Sequence, residues 1–268
     1  MESDFLHPVE LLEWYQTAGA DESVAPEPLN RLSPLTEKSV PSENVQSPSL
    51  PLPPFPSDSP SSYERPSALP DAGTAEMAAK ASTLDELKQI MQNFDGCPLK
   101  ETATNMVFGI GKRDNPDVML VGEAPGYEED RQGVPFVGVS GQLLDKMLAS
   151  IGLDREKVYI SNILPWRPPG NRKPSESETA LFTPFIRRHI ALVRPKVLLM
   201  LGGSAVAALI GTTSGITKTR GKWMEYDNDG TPIPAFASFH PAFLLRTPAQ
   251  KKLAWKDFQT VRQKLFRE

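Results

Sequence analysis

Four short segments hold most of the side chains that could do chemistry. The first, Gly122-Glu-Ala-Pro-Gly-Tyr-Glu-Glu-Asp-Arg131, runs on to Pro135-Phe-Val-Gly138 and crowds four carboxylates beside glycine and proline. A charge run is most often a solvated face, and Glu123 and Glu128 suit pairing with loop amides or Arg131. The second, Asn162-Ile-Leu-Pro-Trp-Arg-Pro-Pro-Gly-Asn-Arg172, offers two amides and two guanidiniums. An amide carries both a donor and an acceptor, so Asn162 can read a complementary ligand edge; asparagine at a strand end is also a common turn former. The third is Leu201-Gly-Gly-Ser204, and the fourth is Phe239-His-Pro-Ala-Phe-Leu-Leu-Arg246. His240 could donate a hydrogen bond to negative charge growing on a reacting group. Of the other two histidines, His7 lies far upstream and His189 falls within a helical pattern, where it is expected to face solvent or a helix end.

Each segment follows an apolar run: Val118–Gly122, Val158–Asn162, Val197–Leu201 and Ala235–Phe239. Helical patterns lie between and around them, at 140–151, 175–193, 204–210 and 253–266, with a Thr83-Leu-Asp-Glu86 capping box opening another that runs to Phe94. Continuous apolar strands alternating with helices predict an α/β fold, a three-layer α/β/α sandwich around a mainly parallel four-stranded sheet. Ligands of such sheets bind beyond the carboxyl ends of the strands. All four segments sit on that edge.

Twelve of the 27 prolines fall between Pro26 and Pro70, amid serine, which predicts an extended linker. The chain divides accordingly into a short amphipathic helix within 1–22 (Pro8 to Gly19), a linker over 23–80 and a folded domain over 81–268. Residues 1–80 hold 13 acidic and 4 basic side chains, net -9; residues 81–268 hold 20 and 25, net +5. A basic domain is compatible with a polyanionic partner. No apolar run approaches the ~20 residues of a membrane span, and Met1-Glu-Ser-Asp4 has no basic or apolar signal character, so a cytoplasmic protein is expected; a monomer is expected as well. One cysteine excludes an internal disulfide and a thiolate metal site. Gly202-Gly-Ser-Ala205 lacks the third glycine and acidic partner of a dinucleotide site, and Gly221-Lys-Trp223 lacks the spacing of a phosphate-binding loop.

The segments at 122–138, 167–172 and 240–246 resemble, in order, motifs of the uracil-DNA glycosylase superfamily, most closely its family 4 type. The resemblance spans about residues 84–266. It implies a monofunctional enzyme that flips uracil out of DNA and hydrolyses its glycosidic bond, leaving an abasic site. Family 4 members typically hold a four-iron cluster on four cysteines. Here Cys97 keeps one ligand position, while Phe94, Trp166 and Phe182 stand at the others, so no iron–sulfur cofactor is expected.

The resemblance also implies roles. Phe136 stacks on uracil, Asn162 pairs with O4 and N3–H, and His240 hydrogen-bonds O2 as the bond breaks. Glu123 and Ala124 line the substrate pocket, Ala124 standing where other superfamily members carry the aspartate that activates water. Asn171 and Glu129 are the remaining candidates for positioning that water. Arg167, Arg172 and Arg246 are expected to contact phosphates, with Phe243 and Leu244 in the apolar wedge that fills the vacated stack. Phe243 and Ala242 stand where the family usually carries tyrosine and serine.

Overall fold

The computed structural model describes residues 73–266. The helix expected at 8–19 and residues 23–72 of the linker expected over 23–80 lie outside the described residues. The domain begins earlier than the expected boundary near 80. Helix α1 (Thr74–Ala79) buries Thr74 and Ala78 and packs on the long helix α6 (Glu176–Val193). The alanine-rich Thr74-Ala-Glu-Met-Ala-Ala79 is a good helix former, which its proline-rich surroundings obscure.

Six strands form one sheet rather than the expected four, in the order β1-β3-β2-β4-β6-β5. The four inner strands, β3 (Val158–Asn162), β2 (Val118–Gly122), β4 (Val197–Leu201) and β6 (Thr231–Ser238), are parallel, as the apolar runs predict. The additions are antiparallel edges: β1 (Ile110–Gly111) beside β3, and β5 (Trp223–Asn228) beside β6. β5 and β6 make a hairpin whose turn residues, Asp229 and Gly230, both have positive φ (51° and 81°). An Asp-Gly pair in that conformation gives the turn whose twist matches flanking strands. Pro232 and Pro234 interrupt the pattern of β6 and hide the hairpin from periodicity alone.

The parallel strands are buried on both faces, and their side chains alternate between two cores. Met119, Val121, Leu198 and Met200 pack with Leu87, Phe182, Phe185 and Val206 on one side. That layer is built from α1, α2 (Leu84–Asn93), α6 and α7 (Gly203–Ile210), with the single turn α3 (Leu99–Thr102) alongside. Val118, Leu120 and Leu199 meet Leu144, Leu148, Phe258 and Val261 on the other. Those residues come from α5 (Val139–Ala149) and the C-terminal helix α10 (Lys251–Leu265). Three short helices decorate the loops: α4 (Tyr127–Gln132), α8 (Ile216–Thr219) and α9 (Pro241–Arg246).

One helical expectation fails. His189 does not face solvent; it is 2% exposed on the inner face of α6, its Nε2 3.0 Å from the Tyr159 hydroxyl and its ring stacked on Phe108 at 4.3 Å. Burial holds its pKa down, to about 3, so the imidazole is neutral. No helix among the described residues is long and apolar enough to cross a membrane.

Candidate active site

The carboxyl ends of the parallel strands converge on a cleft of about 530 Å³, lined by Glu123, Ala124, Phe136, Asn162, Asn171, His240 and Phe243 among others. A larger groove of about 1040 Å³ between α1, α6 and α7 contains none of His240, Asn162 and Asn171.

Asn162 closes β3 opposite Gly122, the last residue of β2. It is 5% exposed, and its Oδ1 is buried with no hydrogen-bond partner among the described residues. Leaving a buried acceptor unpaired costs roughly 1–3 kcal/mol, so the fold holds it ready for a donor from outside. Gly122 makes room for it. A Cβ there would lie 2.4 Å from Oδ1 and 2.7 Å from the Phe136 ring.

Phe136 is 4% exposed and adopts a φ of 54°, unusual for a bulky residue. Arg155 fastens that turn by donating to the Pro135 carbonyl at 3.1 Å and to the Phe136 carbonyl. Asp145 fixes Arg155 in turn at 2.8 Å. The Phe136 ring lies 5.5 Å from the His240 imidazole, tilted by 32°.

His240 leaves β6 as the cap of α9, its Nδ1 accepting the Ala242 N–H at 3.2 Å. Burial, aided by the Arg246 cation, pushes its pKa down to about 4. The ring is therefore neutral at pH 7, and with Nδ1 occupied as an acceptor its proton sits on Nε2. A neutral imidazole offering Nε2–H can stabilise an anion without itself losing a proton.

The carboxylates of the first loop divide by role. Glu128 pairs with Arg131 at 2.9 Å. Asp130 accepts the Thr104 and Asn105 amides at 2.8 and 3.0 Å. Glu129, expected to position water, accepts the backbone amides of Gly126, Val137 and Gly138 at 3.1, 3.0 and 2.9 Å. Its oxygens are thus spent on joining the two ends of the loop. Glu123 accepts the Ser204 hydroxyl at 2.6 Å through one oxygen, and the other has no hydrogen bond from a described residue. Asn171, at the rim with φ 55°, accepts from Arg167 Nε at 2.7 Å.

Two of the three arginines expected at phosphates are bound within the protein. Arg172 grips Glu178 at 2.8 and 2.6 Å, raising its own pKa and lowering that of Glu178, which completes the capping box of α6. Arg167 spans Asn171 and the Tyr127 ring, 5.1 Å away. Arg246 is exposed. Phe243 packs on Phe239 at 5.0 Å and faces the cleft. Leu244 is not a wedge: it is 1% exposed in a cluster with Phe239 and Ala254. Successive residues of a helix point about 100° apart, so α9 turns Leu244 inward and shows Leu245, 39% exposed. Sequence reasoning missed Arg155 altogether, and it placed Ser204 in the third segment without giving it a partner; both act through contacts distant along the chain.

The model of the uracil DNA glycosylase superfamily matches residues 108–259. The chain belongs to this superfamily. It is 37% identical to the type-4 uracil-DNA glycosylase of Archaeoglobus fulgidus, covering 67% of this chain and 92% of that protein. Identity to the type-4 enzyme of Sulfurisphaera tokodaii is 36%, over 68% and 84% of the two chains. For the Thermotoga maritima type-4 enzyme it is 35%, over 69% and 98%.

The position of the family's iron–sulfur cluster does not fit one here. Phe94 and Phe182 meet edge-on at 6.1 Å, Trp166 meets Phe182 at 5.4 Å, and Phe94 reaches Phe185 at 5.6 Å. Cys97 is 2% exposed in the same core, its thiol pKa raised by burial. A cluster needs several thiolates, and the space they would enclose is filled by rings in T-shaped and tilted contact.

Proposed function

We propose that this superfamily member is a uracil-DNA glycosylase that receives a flipped uracil in the cleft and hydrolyses its bond to deoxyribose, releasing uracil and leaving an abasic site. The unpaired Oδ1 of Asn162 carries the reading. Uracil presents a donor, N3–H, beside an acceptor, O4, and the Asn162 amide supplies the opposite pair. Cytosine presents an unprotonated N3 and an amino group, which would set acceptor against acceptor and donor against donor in a dry site. Phe136 gives the pyrimidine its stacking face.

When the bond from N1 to C1′ breaks, its electron pair leaves with uracil and spreads to O2. His240 donates Nε2–H to that oxygen, stabilising the leaving anion without becoming charged. The sugar is left as an oxocarbenium-like cation, to which water adds at C1′ and then loses a proton to solvent. Glu123 and Asn171 face the cleft with hydrogen-bonding capacity to hold that water, in place of Glu129. The aromatic filling around Cys97 supports an enzyme that works without iron.

The test is alkali cleavage of a labelled oligonucleotide carrying one uracil after incubation with the purified protein, with a cytosine-containing strand as control. Cleavage confined to the uracil strand is expected. His240→Ala should slow it by about 2–4 kcal/mol of barrier, roughly 30- to 1000-fold. Absence of uracil release, equal release of cytosine, or activity that requires stoichiometric iron would each overturn the corresponding part of the proposal.

A further inference from the structure

The positive charge of the domain is gathered at one end. Residues 73–240 hold 19 acidic and 19 basic side chains, whereas residues 241–266 hold six basic and one acidic, net +5. That acid, Asp257, is 1% exposed and bound to Arg220 and Ser238, so α9 and α10 show no carboxylate to solvent. Elsewhere the cations are interspersed with acidic side chains, and several are paired: Arg113 with Asp85, Arg194 with Asp114 and Lys196 with Asp117. Arg246, Lys251, Lys252 and Lys256 are exposed, and among the described residues none is paired with a carboxylate.

Trp255 lies in the middle of this cationic run, one helical turn after Lys251 and Lys252, with 49% of its surface exposed. It borders an apolar hollow of about 220 Å³ that also touches Leu244, with Lys146 and Lys251 at its edge. α9 separates the hollow from the catalytic cleft, giving Leu244 to one and Phe243 and Arg246 to the other. Arg246 at the cleft and Lys251 at the hollow thus lie on the two sides of α9.

We infer that the first two turns of α10 form a second DNA-contact surface, which holds the strand flanking the flipped nucleotide. Lys251, Lys252 and Lys256 neutralise backbone phosphates, and Trp255 supplies a stacking face for an unpaired base, so single-stranded substrate gains most from it. The inference rests on the DNA-substrate reading above. Its chemistry is the pairing of a carboxylate-free cationic helix and an exposed indole with a polyanion bearing flat bases. Each phosphate neutralised releases counterions, which makes the contribution legible in salt dependence.

The experiment measures binding of the full chain to undamaged single-stranded and duplex 30-mers across a salt series, and single-turnover uracil release at saturating DNA. In the K251Q/K252Q/K256Q variant the slope of log affinity against log salt should fall by about 2 in magnitude. The excision rate at saturation should stay at the wild-type value. A control with three exposed lysines removed away from α10, K80Q/K88Q/K112Q, should change the slope by less than half as much. W255A should weaken single-stranded binding at least about fivefold, and duplex binding less. An unchanged slope in the α10 variant overturns the inference, as does an equal loss in the control. So does a slope change that vanishes when residues 1–72 are removed, which would assign the surface to that acidic segment. Because the readout uses undamaged DNA, failure to excise uracil would sink the glycosylase reading and leave this measurement standing.

Discussion

Replacing Asn162 with alanine should make the protein more stable and nearly inactive. In the folded state Oδ1 is shut from solvent beside Gly122 and Phe136 with no donor, a penalty of roughly 1–3 kcal/mol that the alanine variant does not carry. The side chain borders an open cleft, so removing it leaves a space that water can enter rather than a sealed cavity. A net gain of about 1 kcal/mol corresponds to a rise of roughly 2–4 °C in Tm for a domain of this size. Activity should move the other way. Uracil in the mutant pocket would have its N3–H and O4 desolvated without partners, at roughly 1–3 kcal/mol each, which slows excision by about 30-fold to 10⁴-fold. Thermal melts and single-turnover excision on one labelled uracil oligonucleotide read the two effects together. A lower Tm than wild type would mean that Oδ1 is satisfied in the native state, and an unchanged excision rate would mean that the amide does not read uracil. Either result refutes the reasoning.

Gly122→Ala places a methyl group against both Oδ1 and the Phe136 ring, so uracil release should fall at least about tenfold while binding to undamaged DNA is retained; overpacking of this kind costs about 1–3 kcal/mol. Because neutral His240 is the working form, the excision rate at saturating DNA should hold as pH is lowered from 8 and decline only on approach to about 4; a decline centred near the ordinary histidine value would refute the assigned tautomer and charge. His189 stays neutral in the fold to about pH 3 but is protonated in the unfolded chain below about 6.5, so the unfolded state binds the extra proton between those values and stability falls as pH drops through them, by up to about 1.4 kcal/mol per pH unit. Urea unfolding of His189→Phe at several pH values should show a shallower acid loss than wild type. Removing residues 1–72 should leave the domain folded with a single cooperative melt, since α1 and the helices beyond it are retained.

The sequence by itself determined the parallel core and the edge on which the chemistry gathers. Val118–Gly122, Val158–Asn162 and Val197–Leu201 are continuous apolar runs because both sheet faces are covered, and that requirement is written locally. Phe136, Asn162 and His240 follow from the same logic, since a parallel sheet presents the residues after its strands to one crevice. The edge strands were harder to read. β1 is two residues long, and β5 carries exposed side chains, so neither needs an apolar run.

Tertiary structure decided how each group is used, because hydrogen-bond capacity is assigned by neighbours remote in sequence. Glu129 became a clamp on three loop amides, and Arg172 became the partner of Glu178. Arg155 was recruited to hold the backbone of Phe136. Which leucine is a wedge depends on the rotation of α9, and a one-residue step moves a side chain from core to solvent. The charge of His240 likewise depends on what surrounds it. Burial and Arg246 keep it neutral, and the Ala242 amide fixes the nitrogen that bears its proton. Residue types set what each side chain can do; only packing settles which partner it meets, because burial makes an unpaired polar atom costly and leaves few ways to satisfy it.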